Sequence, residues 1–359
     1  MDFTSSLYLG MRHPSGELPG WTAVTTGRPA ALGIPRAAVA VGSRLAALQG
    51  TERALLTRST LHAFSDCLDA LARPGTAIVL DGGAYPIARW AVQRAIGTGC
   101  PVVVVRHHDP VELAGALRRI SARGLRPLVV ADGLCGGCGR RFPLATADSA
   151  LRSGEGLLLL DDTQALGLHG ARPRAAHPFG SGGGGSLRRS GLAMAPRIVL
   201  VASMAKAFGA PVAAISGPAA LLAKIWAEGG SVTHSSPPSA ADIRAAARAL
   251  DRNETEGDGL RARLAARIRQ LRDRCAARGP RLRGGLFPVQ RTPVVSVAEG
   301  RRMLETLDRA GIRAVLTRDC GGRRVLALVV TAAHSPSAVR AAADAVTGAW
   351  FANVEECHV

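Results

Sequence analysis

Two lysines are the side chains of this sequence that could serve as amine nucleophiles. The chain has 45 basic residues, and all of them except Lys206 and Lys224 are arginine. A guanidinium group stays protonated and forms no Schiff base, so arginine cannot replace a lysine whose amine must react. Lys206 lies among small residues just after an apolar run at 198–201. A Schiff-base lysine could lie there, although this spacing equally allows a surface lysine in a loop.

A carboxylate follows another apolar run farther upstream. Residues 157–160 are all leucine, and Asp161 comes directly after them. Open α/β sheets bind ligands at the carboxyl ends of their strands. A carboxylate at such an end could keep a pyridine nitrogen protonated, so that the ring accepts electrons from a substrate carbanion. The alternative is that Asp161 caps the next helix.

The elements that must position these residues alternate along the chain. Helical stretches rich in alanine, arginine and leucine are separated by short apolar runs, which fit strands buried on both faces. The predicted strands are 77–80, 102–105, 128–130, 157–160 and 198–201, and the main predicted helices are 87–96, 110–123 and 240–277. This alternation predicts an α/β fold with a mostly parallel sheet and helices on both of its faces.

A smaller α+β unit is predicted after the long helix. Its order is βαββα, with strands at 294–297, 313–316 and 325–330 and helices at 300–310 and 336–346. The glycine-rich run at 181–186 is predicted to be a flexible loop. We therefore expect an N-terminal arm (1–35), a large domain (36–240), a linking helix (241–278) and a small C-terminal domain (279–359).

Composition excludes several classes of function. The net charge of +18 would suit nucleic acid, but the arginines are spread along the whole chain and aromatic residues make up 4% of it. With so few aromatics for base stacking, we expect no nucleic-acid partner. The apolar runs are too short to cross a bilayer, and the N-terminus lacks the features of a signal peptide. We expect a cytoplasmic protein without a membrane partner.

The cysteines do not indicate a metal site. The one close pair is Cys135 and Cys138, in the sequence Cys-Gly-Gly-Cys. A structural zinc ion would need a second pair, or a histidine pair at ligand spacing, and neither is evident. His107 and His108 are adjacent, so on a strand they would point to opposite faces. We expect no metal and thiols in a glycine-rich loop, with a redox-active pair as the alternative.

Several segments, in the same order, resemble motifs of the α-oxoamine synthase group of fold type I enzymes, in the aminotransferase class I/II superfamily. The matching segments are 5–14, 54–60, 161–167, 203–209, 235–238 and 331–334. The first resembles the Asn-Tyr-Leu-Gly segment before a His-Pro, and the fourth resembles Thr-x-Ser-Lys-Ala-Phe-Gly. The resemblance covers nearly the whole chain. It implies fold type I, a small C-terminal α+β domain and pyridoxal 5'-phosphate (PLP) as cofactor.

The resemblance also implies roles for single residues. Lys206 would hold PLP as a Schiff base and later move the substrate α-proton, while Asp161 would pair with the pyridine nitrogen. Tyr85, at the place of a ring-stacking histidine, would stack on the ring equally well. The other implied cofactor contacts are the N–H groups of Ser59, Thr60 and Leu61 at a helix N-terminus, the side chains of Ser203 and Gln164, and, across a dimer interface, Thr233 or Ser235.

Two departures from the group's pattern bear on the substrate. Gln164 replaces a histidine; it could still hydrogen-bond the cofactor but cannot titrate. Ala327 stands where an arginine binds the substrate carboxylate, which removes a bidentate contact. A neighbouring arginine could take over, although an odd shift along a strand points to the opposite face. The candidate arginines are Arg28, Arg323 and Arg324.

The resemblance implies a PLP-dependent transferase that works as a homodimer with a shared active site. It would form a carbanion from an amino acid and join it to an acyl thioester or another electrophile. The departures leave open a PLP-dependent aminotransferase, or a carbon–carbon bond-forming enzyme of specialised metabolism with a non-acyl, nucleotide-type partner. A non-catalytic binding subunit is a third alternative, against which the presence of Lys206 and Asp161 argues.

Overall fold

A seven-stranded sheet organises the larger part of the chain. The structure is a computed structural model that describes residues 1–152 and 155–356. The strands are β1 (Arg53–Thr57), β2 (Thr76–Asp81), β3 (Val102–Val105), β4 (Arg126–Asp132), β5 (Leu157–Asp161), β6 (Ile198–Ser203) and β7 (Ala213–Gly217). They lie in the order β1-β7-β6-β5-β4-β2-β3. The strands from β2 to β6 pair in parallel and β7 is antiparallel to both of its neighbours, so the predicted mostly parallel sheet is confirmed.

Helices cover both faces of this sheet. Up to residue 278 the helices of the chain are α1 (Arg36–Gln49), α2 (Thr60–Leu71), α3 (Pro86–Gly97), α4 (Pro110–Ala122), α5 (Leu144–Leu151), α6 (Gly185–Ser190), α7 (Ala219–Glu228), α8 (Gly230–His234) and the long α9 (Ala240–Arg278), with 3-10 turns at Ser15–Glu17 and Ala30–Leu32. Alternate residues of each strand face opposite sides. In β2, Ile78 belongs to a core cluster with residues of α2, α3 and α7, while Val79 belongs to one with residues of α4 and α5. Within residues 1–152 and 155–356, no helix is long and apolar enough to cross a membrane.

Strand β3 is not buried on both faces, although its four valines predict that it is. Val103 and Val104 are exposed. The reason is the position of β3 at the edge of the sheet, where it pairs with β2 alone. A run of apolar residues does not distinguish an edge strand from a central one.

The described residues cluster into two compact units. The larger consists of Arg12–Cys135 and Arg141–Gly257, and the smaller of Met1–Met11, Gly136–Arg140 and Asp258–Val359. The units divide the chain inside helix α9. The boundaries predicted at residues 35, 240 and 278 stay a prediction.

The smaller unit contains a three-stranded antiparallel sheet. Its strands β8 (Val289–Val294), β9 (Val315–Arg318) and β10 (Arg324–Val329) lie in the order β8-β10-β9, and its further helices are α10 (Val297–Arg309) and α11 (Pro336–Glu356). The strand predicted at 294–297 was wrong, because Ser296 caps α10. Its hydroxyl accepts from the Glu299 N–H at 3.2 Å, and the Glu299 carboxylate accepts from the Ser296 N–H at 2.5 Å. The Ser-x-x-Glu spacing is a helix start signal.

The second half of the glycine-rich segment at 181–186 is buried and begins a helix, so the segment is not a loop throughout; its predicted flexibility stays a prediction. Gly185 and Ser186 begin α6. The Ser186 N–H donates to both carboxylate oxygens of buried Asp162, at 3.0 and 3.2 Å. A Cβ atom on Gly185 would lie 2.0 Å from the Asp162 Oδ2 atom. The glycine is needed because backbone and carboxylate approach this closely.

Two glycines of this segment form a matched pair for measuring that packing. Gly182 and Gly185 have φ angles of 82° and 84°, but a Cβ on Gly182 would meet nothing within 4 Å. We expect Gly182→Ala to lower the free energy of unfolding by about 1–2 kcal/mol, the cost of the left-handed backbone. Gly185→Ala should cost about 1–3 kcal/mol more, because its methyl group overlaps the Asp162 carboxylate. Denaturant unfolding of both variants measures the difference, and equal losses would contradict the packing described.

Candidate active site

The carboxyl ends of three adjacent parallel strands bring the chemically important residues to one edge of the sheet. Asp132 ends β4, Asp161 ends β5 and Ser203 ends β6. The sheet register pairs Asp132 directly with Asp161. Lys206 follows the end of β6 by three residues. This edge is where ligands bind in open α/β sheets.

Asp161 and Lys206 interact electrostatically in buried surroundings. The Asp161 side chain is 6% exposed, and its Oδ1 atom accepts from the Thr163 N–H at 3.0 Å. Burial raises the pKa of Asp161, while hydrogen bonds from Thr163 and the charge of Lys206 oppose the rise. Burial lowers the pKa of Lys206, and the Asp161 charge opposes that fall. Lys206 is therefore less basic than an exposed lysine, so more of its amine is in the nucleophilic neutral form.

Thr163 links the two strand ends, and it was missed among the predicted site residues. Its hydroxyl oxygen accepts from the Ser203 N–H at 3.0 Å, and its own N–H donates to Asp161. The Ser203 hydroxyl accepts in turn from the Ala205 N–H at 3.2 Å, next to Lys206. A hydroxyl residue two positions after a strand-ending aspartate is the signal that could have identified it.

His13 fixes the other end of the Lys206 loop. Its Nε2 atom lies 2.8 Å from the carbonyl oxygen of Phe208. Burial lowers the pKa of His13, so the ring is neutral and donates to this carbonyl. The N-terminal His-Pro motif thus has a structural task in positioning the lysine loop.

A second buried carboxylate, also missed from the sequence, lies beside Asp161. Asp132 is 5% exposed, and its Oδ1 atom accepts from the Tyr85 N–H at 3.0 Å. Burial, and then the charge of Asp161, raises the pKa of Asp132 well above its ordinary value. Two carboxylates this close do not both ionise readily. Since Asp161 has Lys206 beside it, we assign the negative charge to Asp161 and the proton to Asp132.

Tyr85 is held at this edge by Asp132. It is the N-cap of α3, its backbone is fixed by the hydrogen bond to Asp132, and its side chain is 50% exposed. An exposed ring at the mouth of the site can cover the face of a bound aromatic ligand. Its stacking role stays a prediction.

The predicted phosphate donors lie at the start of α2. Ser59 is the N-cap of this helix, and Thr60 and Leu61 are its first residues. The first N–H groups of a helix have no acceptor inside the helix, so they suit an anion. The Ser59 hydroxyl lies 2.8 Å from Nδ1 of His62. That they bind the cofactor phosphate stays a prediction.

The remaining predicted cofactor contacts lie on two further segments of the larger unit. Gln164 is partly buried, directly after Thr163. Thr233 is exposed in α8, and Ser235 follows this helix with its hydroxyl donating to the Ser231 carbonyl at 2.7 Å. Their contacts with a cofactor also stay predictions.

The arginines predicted to contact substrate have different surroundings. Arg323 is exposed and forms two hydrogen bonds with the Asp319 carboxylate, at 2.7 and 3.0 Å. Arg324 begins β10, and Arg28 is exposed just before the turn Ala30–Leu32. The Arg323 guanidinium therefore already forms an ion pair with Asp319. Substrate binding by Arg28, Arg323 or Arg324 stays a prediction.

Ala327 has an arginine directly opposite it that was not considered from the sequence. The register of β10 and β8 pairs Ala327 with Arg291, so both side chains lie on the same face. Arg291 is 4% exposed, and its guanidinium donates to the carbonyl of Val289 at 3.1 Å and to that of Gly136. These bonds give Arg291 a structural role in holding the Gly136–Arg140 turn.

The residues at the sheet edge fit PLP. A partly buried amine of lowered pKa is suited to react with an aldehyde, and a buried carboxylate is stabilised by a protonated ring nitrogen. The sequence pattern of the aminotransferase class I and II family matches residues 24–346. The chain belongs to this family. Its cofactor is therefore PLP, as predicted.

Similar proteins indicate which group within the aminotransferase class I and II family this chain resembles. The chain is 31% identical over 234 residues to 8-amino-7-oxononanoate synthase of Mycolicibacterium vanbaalenii, which covers 63% of this chain and 57% of that protein. It is 29% identical over 356 residues to the protein of the same name from Nitrosococcus oceani, covering 94% and 88%. The chain thus spans little more than half the length of the first relative. The resemblance to the α-oxoamine synthase group is confirmed.

Solved structures confirm fold type I. A serine palmitoyltransferase from Sphingomonas wittichii superposes with a TM-score of 0.84 at 20% identity, covering 98% of this chain and 87% of the other. The 8-amino-7-oxononanoate synthase of Francisella tularensis gives a TM-score of 0.77 at 15% identity, covering 100% and 99%. At these identities the likeness shows the fold alone.

The buried carboxyl of Asp162 should make stability depend on pH. Burial raises its pKa from 3.8 to about 7, opposed by the hydrogen bonds from Ser186. The folded state then binds this proton more tightly than the unfolded state, so the contribution is greatest below pH 3.8 and declines as the pH rises to about 7. Asp162→Asn keeps an oxygen acceptor for Ser186. We expect it to flatten the decline and to be more stable than the parent near pH 7, by up to about 4 kcal/mol.

Unfolding free energies measured across this pH range test the prediction. The control is Asp109→Asn, since Asp109 is a partly exposed helix cap whose pKa is lowered by the Glu112 N–H. Its effect on the pH slope should have the opposite sign. A pH curve for Asp162→Asn parallel to that of the parent would contradict a buried acid of raised pKa.

Proposed function

We propose that this protein is a PLP-dependent transferase that activates the α-carbon of an amino substrate and joins it to an electrophile. The observation that carries the proposal is the pair of Lys206, with lowered pKa, and Asp161, buried at a strand end. When bound, PLP supplies an electron-accepting ring. The Lys206–Asp161 pair supplies the amine and the carboxylate that this chemistry needs.

Lys206 has two tasks in this proposal. Its neutral amine would hold the cofactor, and, once released, its Nζ atom would accept the proton from the substrate α-carbon. Burial favours the neutral form in both tasks. The Ser203–Ala205 and His13–Phe208 hydrogen bonds hold the loop on both sides of the lysine.

Asp161 and Asp132 have different electrostatic roles in this proposal: Asp161 is charged and Asp132 is neutral. Asp161 keeps its charge through Thr163 and Lys206, so it can hold a positive charge on a ring nitrogen. Asp132, neutral, adds no second negative charge and fixes the Tyr85 backbone instead. Because Asp132 is neutral in this proposal, Asp161 supplies the negative charge that faces the ring nitrogen.

The electrophile we propose is an acyl thioester. The resemblance to the α-oxoamine synthase group supports it, and the net charge of +18 would attract an anionic carrier such as a coenzyme A thioester.

We also propose a homodimer. In the larger unit, Leu32, Ile34 and Val39 are large exposed apolar side chains near α1, which suits a surface that another chain covers.

A second candidate keeps the cofactor and changes the substrate. Ala327 cannot bind a carboxylate, and Arg291 opposite it is engaged by backbone carbonyls. This favours an amine without an α-carboxylate, handled by aminotransfer or by carbon–carbon bond formation with a partner of nucleotide type.

The visible absorption of the reconstituted protein tests the first proposal. We expect Lys206→Ala to lose the absorption band of the lysine-bound cofactor, because Lys206 is the lysine that interacts with Asp161. Lys224→Ala is the matched control, since it removes the other lysine, in α7, and should keep the band. A full band in Lys206→Ala would contradict the assignment. A band that no amino compound changes would support a non-catalytic subunit.

Matched pairs of amino acid and decarboxylated amine, such as serine and ethanolamine, separate the two substrate classes. Titrated with and without acyl-coenzyme A, each pair differs only in the carboxylate. Without a bidentate arginine we expect the two dissociation constants to agree within about tenfold. A stronger preference for the amino acid would contradict this and would direct attention to Arg28, Arg323 and Arg324 as carboxylate ligands.

A further inference from the structure

A group of basic side chains near helix α6 has no carboxylate to balance its charge. No aspartate or glutamate occurs between Asp162 and Glu228, whereas His169 and Arg189 lie in this stretch of the sequence. Arg141 joins them from the segment that follows β4, and all three belong to the larger unit. Among the residues that the structure describes, neither arginine forms an ion pair with an aspartate or a glutamate.

Arg141 and Arg189 lie on segments that contact each other. The Phe142 N–H, next to Arg141, donates to the Gly133 carbonyl at 3.0 Å. A Cβ atom on Gly133 would lie 2.5 Å from the Ser186 hydroxyl oxygen, so this glycine is in close contact with α6. Arg189 follows Ser186 in the helix by about one turn. The two arginines therefore come from adjoining segments.

His169 adjoins Arg189 from the segment after β5. Its carbonyl oxygen accepts from the N–H of Gly185, the first residue of α6, at 2.7 Å. The centroid of its ring lies 6.1 Å from that of the Phe179 ring. The Arg189 guanidinium donates through Nη1 to the Pro178 carbonyl at 2.6 Å. His169 and Arg189 thus both contact the segment that contains Pro178 and Phe179.

The positive charge of this group is not compensated by the protein. Burial, and then the charges of Arg189 and Arg141, lowers the pKa of His169 from 6.5 to about 3. Burial, and then the charge of Arg141, lowers the pKa of Arg189. The Nε–H of Arg189 is buried, and no acceptor for it lies within residues 1–152 and 155–356. An anion bound here would relieve the repulsion and give the Arg189 guanidinium a further acceptor.

We propose that Arg141, His169 and Arg189 bind a phosphate group of a small molecule. Two guanidinium groups match the double negative charge of a phosphate monoester, and each can donate two parallel hydrogen bonds to its oxygens. The imidazole adds one N–H donor in its neutral form. A carboxylate carries a single charge, so it would leave one arginine unbalanced. Arg141 is exposed and Arg189 is partly exposed, so a ligand from solution can reach them.

This phosphate site is separate from the one predicted for the cofactor at the start of α2. Phe142, which follows Arg141, and Leu187 of α6 belong to the core cluster that contains residues of α4 and α5. Residues of α2 belong to the cluster on the opposite face of the sheet. A phosphate bound near α6 would therefore be additional to the phosphate of PLP.

Titration of the full-length, PLP-loaded protein with inorganic phosphate, at constant ionic strength, tests the site. We expect Arg141→Gln and Arg189→Gln each to weaken binding at least about tenfold, because each removes a bidentate contact. Arg189→Lys should restore only part of the affinity, since an ammonium group lacks the planar fork. An unchanged absorption band of the cofactor during the titration shows that phosphate has not displaced PLP.

Arg197→Gln is the matched control. Arg197 directly precedes β6, so it lies at the opposite edge of the sheet, and it is partly exposed like Arg189. Its replacement removes the same charge far from the site, so the phosphate affinity should change by less than about twofold. The ring signals of His169 in nuclear magnetic resonance spectra should shift as phosphate binds, while those of exposed His234, in α8, should stay in place.

A pair of larger ligands identifies where the phosphate comes from. Coenzyme A carries one phosphate monoester that dephospho-coenzyme A lacks. Tighter binding of coenzyme A that is lost in Arg189→Gln would assign the group to the carrier in the proposed function, and equal binding of the two would assign the site to a smaller phosphate ester. This comparison rests on the proposed function, whereas the phosphate titration does not.

Two results would overturn the phosphate site. The first is that the PLP-loaded protein binds no inorganic phosphate. The second is that Arg197→Gln weakens binding as much as Arg141→Gln and Arg189→Gln do, because the attraction would then come from the net charge of the chain and not from these residues. Either result leaves the proposed reaction at Lys206 untouched, since the absorption band of the lysine-bound cofactor tests that separately.

Discussion

Negative charge buried at one edge of the sheet is the constraint on which the rest of the structure depends. Asp81, Asp132 and Asp161 end three strands that are neighbours in the sheet, and all three are buried. Carboxylates cannot all be charged so close together away from water. The chain resolves the conflict in three ways: Lys206 and Thr163 stabilise Asp161, His107 and backbone N–H groups stabilise Asp81, and Asp132 stays protonated.

Apolar patterning predicted the central strands because they are buried by neighbours on both sides. It failed for β8, which reads as polar although Gln290, Arg291 and Thr292 are all buried. Their polar atoms are satisfied locally, for example by the Gln290 amide donating to the Gly285 carbonyl at 3.0 Å. Hydrophobicity along the chain cannot reveal a strand whose burial rests on hydrogen bonds. β1 was not predicted for another reason. Its residues form part of the segment that was interpreted as the phosphate-binding loop.

Lys206 and Asp161 could be predicted because each follows a strand within its own short segment. Asp132 and the pairing of His107 with Asp81 could not, since they depend on which strands are neighbours in the sheet. β4 lies between β5 and β2 rather than beside β3. Chain spacing alone does not contain that information.

The scarcity of lysine has a consequence for how the protein meets reactive small molecules. Amines are the groups that activated esters and thioesters acylate spontaneously, whereas guanidinium groups are inert to them. This chain presents two such side chains, and burial lowers the pKa of Lys206. Arginine carries nearly all of the positive charge, so the chain offers few lysine amines that such an electrophile could acylate.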